Sequence, residues 1–178
     1  MYLTIRPEGT METMQQPTVN HSTFTLERSF PASPERVFSA FADPAKKIRW
    51  YADGRFMEVL EFTMDFRVGG HDRTRYQTAK ESPLQGVILR YDTHYLEIQP
   101  GRRIVIGYTA GRETAGENVP FSASLATFEL MPSDTGTDLL FTEQSAFFEN
   151  SDGPEWRKKG WTSLLDKVAE FLSESLAE

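Results

Sequence analysis

The chain has 178 residues, no cysteine, and 19 Lys plus Arg against 26 Asp plus Glu, for a formal charge of −7. That length suits one domain with a full core. The acidic balance disfavours a nucleic-acid partner, and the missing cysteines exclude disulfides, thiolate zinc sites and thiol nucleophiles. No apolar stretch reaches the roughly 20 residues of a membrane span and no basic segment precedes an apolar run, so a soluble, cytoplasmic protein without membrane insertion is expected.

Residues 1–22 lack periodicity, carry turn formers and polar groups, and read as a flexible tail ahead of one domain over 23–178. From Thr23, "TFTLERSF" alternates with the two-residue period of a strand, with Phe24, Leu26, Arg28 and Phe30 on one face. "PASPERVFSAFADP" offers Ser33 as an N-cap, Pro34 at the first helical position and Val37, Phe38 and Phe41 at helical spacing, with Pro44 closing the helix. "AKKIRWY" predicts a further turn or two that puts Ile48, Trp50 and Tyr51 beside the next strand.

From Arg55 to Val68 the even positions are Phe56, Glu58, Leu60, Phe62, Met64 and Phe66, which predicts a long strand with one apolar face. Five more strand-like runs follow: "HDRTRYQT", "GVILRYDTHYLEI", "RRIVIGYT", "FSASLATFEL" and "TDLLFTEQSAFF". Their short connectors, "KESP", "QPG" and "PSDTG" among them, carry turn chemistry, which favours an antiparallel meander. At the C-terminus Trp161, Leu164, Leu165, Val168 and Leu172 fall at spacings of three and four, the stripe of a long amphipathic helix that begins at Asp152 or Gly153. An α+β architecture follows, in which this helix covers the apolar face of a curved sheet and leaves a cavity between them.

The stretch "FRVGGHDRTRY" permits three readings. A phosphate loop needs its glycines to feed a helix, whereas Gly69 and Gly70 lead into a strand. A metal site would need His71 and Asp72 to converge, yet adjacent strand residues point to opposite faces, and no metal is expected. The glycines therefore mark a sharp bend in the sheet. His71, Arg73 and Arg75 then share one face of the following strand, with Asp72, Thr74 and Tyr76 on the other. The first set reads either as a solvated cationic face paired with acids, which we favour, or as anion ligands at the cavity mouth.

Two glutamates interrupt apolar registers. Glu58, if inward, is a desolvated candidate acid or base; a bulge or strand end would expose it instead, and that reading is preferred. Glu143 shares parity with Leu139, Phe141, Ser145 and Phe147, and a pairing with an arginine on a neighbouring strand would explain it structurally. Among the aromatics, Trp50, Tyr51, Phe62, Tyr91, Tyr95, Tyr108, Phe147 and Trp161 are candidates to line a pocket, although at least half are expected to fill core. Trp50 and Trp161 are the preferred pocket markers. His94 reads as a surface or satisfied histidine. The candidate ligand contacts are these aromatics with Glu58, His71, Arg73, Glu143 and Leu165. No triad, metal cluster or cofactor fingerprint is present, so no catalytic residue is assigned and no cofactor is expected.

The order of elements, with "FPASPERVFSAFADPAKKIRWY", "DFRVGG", "YLEIQPGRRIVIGYT", "ATFELMPSDTGTDLLFTEQSAFF" and "GWTSLLDKVAEFL", resembles the activator of heat-shock-protein-90 ATPase homologue-like family of the START-like (SRPBCC) helix-grip superfamily. The resemblance runs from about Thr23 to the end. It implies a helix-grip fold with two short helices after the first strand, the last helix gripped by the sheet, and an apolar or amphipathic small molecule held between them. A cyclase- or dehydratase-type enzyme using Glu58, Glu143, His71 or a tyrosine is the alternative, and a chaperone ATPase regulator a further one. Activators that motivate the family name carry an added N-terminal domain for which this chain is short, so a chaperone partner is disfavoured. Homodimerisation is left open.

Overall fold

The computed structural model describes residues 18–51, 57–78 and 86–174. The chain runs β1 (Asn20–Phe30), α1 (Pro34–Ala42), α2 (Pro44–Tyr51), β2 (Met57–Met64), β3 (His71–Thr78), β4 (Ile88–Gln99), β5 (Arg103–Thr114), β6 (Glu117–Ser133), β7 (Gly136–Phe147) and α3 (Gly153–Glu174). The seven strands form one curved antiparallel sheet in the order β1-β7-β6-β5-β4-β3-β2, so β2 to β7 are a meander and β1 returns beside the last strand. This is the α+β helix-grip architecture. Asn20, His21 and Ser22, read above as tail, pair with Phe147, Ala146 and Ser145 and belong to β1; the remainder of the expected tail, residues 1–17, lies outside the described residues.

The short helices follow their sequence signals. The Ser33 hydroxyl accepts from the Arg36 amide, Pro34 occupies the first turn of α1, and Pro44 opens α2. Val37, Ala40 and Phe41 turn inward and join Trp50, Ile104, Phe128, Phe141, Leu165, Val168 and Leu172 in a single core. The α3 stripe therefore buries against the sheet face that also receives α1 and α2.

β2 departs from its predicted pattern. It begins at Met57, Arg55 and Phe56 lying outside the described residues, and a register shift falls between Val59 and Glu61. Phe62, Met64 and Phe66 are partly buried, while Glu58 and Leu60 face solvent, because an added residue in one strand exchanges its faces. Beyond it, Gly69 has φ of +79°, and a Cβ on Gly70 would stand 2.1 Å from the Asp65 carbonyl oxygen. Only glycine fits that bend. The bend is tied to β4 by the Gly69 amide on the Tyr95 carbonyl (2.8 Å) and the Tyr95 amide on the Gly70 carbonyl (3.1 Å).

With the bend fixed, the face of β3 is decided. Asp72, Thr74, Tyr76 and Thr78 are buried, and His71 and Arg73 are exposed. Arg73 reaches Asp92, and Arg75 grips Glu113 through two hydrogen bonds of 2.5 and 2.7 Å. These cations are a solvated, acid-paired surface, the reading favoured above, and not anion ligands of the cavity.

Candidate ligand-binding cavity

A cavity of about 290 Å³ lies among α2, α3 and the inner face of β3 to β6. Its walls are mainly aromatic: Trp50 and Tyr51 from α2, Tyr91 and Tyr95 from β4, Tyr108 from β5 and Trp161 from α3. Trp156, 69% exposed, is a large apolar group at its solvent side. The alternation of β4 and β5 sets alternate side chains toward the helix, which is why Tyr91 and Tyr95, four residues apart, converge with Tyr108 of the neighbouring strand.

Two buried polar clusters border this aromatic space. In the first, Lys47 of α2 places Nζ 2.5 Å from Asp72 Oδ2, and the Tyr95 hydroxyl donates to the same oxygen at 2.5 Å. Burial lowers the pKa of Lys47, partly offset by Asp72, and raises that of Tyr95, with the neighbouring carboxylate adding to it. Asp72 Oδ1 is buried without a hydrogen-bond partner. Lys47 and Tyr95 line the cavity, so the cluster presents an amine and a phenol to whatever occupies it.

The second cluster joins α3 to the sheet. Arg157, only 6% exposed, donates through Nη1 to Tyr108 (3.0 Å), Ser124 (3.1 Å) and Glu143 (3.3 Å). Through Nη2 it donates to Ser122 (2.7 Å), and two contacts of 3.0 and 3.1 Å reach Asp152. Glu143, 0% exposed, also accepts from Tyr108 (2.7 Å) and Ser145 (2.6 Å). Burial opposes the Arg157 charge, but Tyr108, Asp152 and Glu143 outweigh it and its pKa rises. Trp161 Nε1 donates to the Tyr108 hydroxyl at 3.2 Å, which orients the indole against Phe141. A guanidinium with every face engaged is a structural tie and not a free anion site.

The predicted site residues divide accordingly. Trp50, Tyr51, Tyr91, Tyr95, Tyr108 and Trp161 line the cavity together. Phe62 packs on Tyr51, Phe147 lies under the Arg157 guanidinium, and Leu165 is core; none of the three lines it. Glu58, His71 and Arg73 face outward, and His71 stacks on His94 at 4.1 Å between ring centroids on that outer surface. Glu143 is inward, but its cation comes from α3 and not from a neighbouring strand. Lys47, Arg157 and Trp156 were not singled out from the sequence, and Asp72 was named as a ligand only in the metal reading set aside above. One signal for Arg157 was available: it stands four residues before Trp161, in phase with an apolar stripe, as Glu143 stands in an apolar strand face. Two opposite charges, each anomalous on its own face, are candidates to pair.

No helix among the described residues is long and apolar enough to cross a membrane, and no group of three or more metal-ligating side chains occurs among them. No curated protein matches the chain. Among solved structures, a protein from Rhizobium loti is 43% identical, with a TM-score of 0.74 over 87% of this chain and 99% of that one. An uncharacterised protein from Rhizobium leguminosarum is 31% identical, with a TM-score of 0.78 over 88% and 97% of the two chains. A protein from Chromobacterium violaceum is 32% identical, with a TM-score of 0.65 over 84% and 96%. Residues 31–173 match the family model described as Activator of Hsp90 ATPase homolog 1-like protein, and the chain belongs to that family.

Proposed function

We propose that this protein is a binding module that holds an apolar or amphipathic small molecule in the cavity between the sheet and α3. The observation that carries this reading is the cavity of about 290 Å³ with walls of tyrosine and tryptophan. Concave, mainly apolar space with a few placed polar groups is the usual form of a small-molecule site. The partner in this reading is a small molecule in the cytoplasm, and not a nucleic acid, a membrane or a chaperone.

The test is native mass spectrometry of the protein purified from its own cells, combined with titration of the neutral fluorescent probe N-phenyl-1-naphthylamine. A retained small molecule, or saturable one-to-one uptake of the probe with a rise in melting temperature, is expected, because a ligand selective for the native state stabilises it by mass action. Absence of both a retained mass and saturable uptake would overturn the proposal.

An enzymatic reading is favoured by one observation only. The Lys47 amine lies at the cavity wall beside Asp72, and burial lowers its pKa against the raising effect of that carboxylate, which makes it the candidate for proton transfer. Glu58 and Glu143 do not serve that reading, since one faces solvent and the other is held by Arg157. Turnover of a retained molecule that is lost in Lys47→Met with the fold intact would establish it.

A further inference from the structure

We infer that the cavity selects an uncharged aromatic molecule carrying a hydrogen-bond acceptor, such as an aryl ketone, and that the Tyr91 hydroxyl is the group that reads the acceptor. The inference rests on the binding reading above and adds the class of ligand.

The argument begins with which hydroxyls are already used. Tyr95 donates to Asp72, Tyr76 to the Tyr51 carbonyl and Tyr108 to Glu143. The Tyr51 hydroxyl, like that of Tyr91, has no hydrogen-bond partner among the described residues, but its ring is wedged between Trp50 and Tyr76, with Lys47 5.4 Å from its centroid. Tyr91 differs in its setting: it lines the cavity from β4, its ring packs edge-on against Tyr76 at 6.0 Å, and its hydroxyl has no partner among the described residues. Burial holds Tyr91 in its protonated form, so it is a donor at neutral pH. Thr93, on the same face of β4, also lines the cavity with its hydroxyl unpartnered among the described residues. Polar groups in an apolar pocket without protein partners are the ones a ligand must satisfy.

Charge is the second consideration. The cations lining the cavity are Lys47, Arg157 and Lys167. Lys47 is neutralised by Asp72 at 2.5 Å, and Arg157 by Glu143 at 3.3 Å and Asp152 at 3.0 Å. Lys167 is engaged as well. A ligand anion at Lys47 or Arg157 would therefore have to displace a carboxylate from a formed pair. Asp72 does not line the cavity, so its unfilled oxygen offers no open seat for a ligand cation. Burying an unpaired ligand charge here is costly, whereas an aromatic face meets tyrosine and tryptophan edges on most sides.

The test uses three two-ring probes of nearly equal size: 2-acetylnaphthalene, 2-naphthoate and 2-ethylnaphthalene, titrated calorimetrically at neutral pH. The ketone is expected to bind about fivefold or more tighter than either of the others, the scale of one neutral hydrogen bond. In Tyr91→Phe, which keeps the ring against Tyr76, the ketone should fall to the affinity of the ethyl compound, whose own affinity stays unchanged. Tightest binding of the naphthoate, or a ketone preference that survives in Tyr91→Phe, overturns the inference. Equal binding of all three rejects this inference alone; failure of all three to bind rejects the cavity reading with it.

Discussion

Replacing Arg157 with leucine should destabilise the protein by about 3–5 kcal/mol, the usual consequence of stranding a buried partner charge. Glu143 is wholly buried and would keep hydrogen bonds from Tyr108 and Ser145, but no cation. Ser122 and Asp152 would each lose their contacts as well, and α3 would lose its polar attachment to β6 and β7. For a chain of this size that loss corresponds to a fall in melting temperature of about 6–20 °C. The assay is urea unfolding followed by tryptophan fluorescence, with the denaturant slope checked for a retained two-state transition. Adding Glu143→Gln to Arg157→Leu removes the stranded charge while keeping an acceptor for Tyr108, and should restore about half of the loss or more. A single variant that loses less than about 1 kcal/mol, the value of an exposed pair, would refute the reasoning. So would a double variant no more stable than the single one.

Burial raises the pKa values of Tyr51, Tyr76, Tyr95 and Tyr108. Unfolded tyrosine ionises near pH 10. The folded state therefore binds more protons than the unfolded state above about pH 10, so stability should be intact below that value and fall as pH rises beyond it. Tyrosinate absorbance from these groups should appear together with unfolding; appearance well before unfolding would contradict their burial. Gly70→Ala should cost about 1–3 kcal/mol because its Cβ meets the Asp65 carbonyl, and Gly69→Ala about 1 kcal/mol from its left-handed backbone alone. Thermal melts that rank them the other way would show that the bend can relax. Trp161→Ala should cost about 2–3 kcal/mol, less than the roughly 3–5 of a fully buried tryptophan, since it borders the cavity. An unchanged melting temperature would remove Trp161 from the helix–sheet contact.

Period and turn chemistry made most of the fold legible. Phe24, Leu26 and Phe30 marked β1, Ser33 and Pro34 marked α1, and Leu165, Val168 and Leu172 marked the gripped side of α3. What stayed open was the choice of inward face on β3, where both faces were polar. On β3 the inward set is Asp72, Thr74 and Tyr76, made tolerable inside only because Lys47 comes from α2 and Tyr95 from β4. Those partners are 25 and 23 residues away, and no local pattern brings them together. On β2 the bulge reversed Glu58 and Leu60 without leaving a glycine or proline as a signal. The aromatic wall was legible because tyrosines alternated along β4; the Arg157 tie was not, because a charge on an apolar stripe reads as an interruption until its counter-charge is found on another element.

Gly160 stands two turns into α3 on the cavity lining, with nothing within 4 Å of the place its Cβ would occupy. Alanine there would strengthen the helix by about 0.5–1 kcal/mol, so the residue weakens the rod that the sheet holds. What that absence provides is room at the cavity wall. Because no neighbour lies within reach of this position, a larger side chain there would narrow the space open to a guest without disturbing the interior that keeps the chain folded.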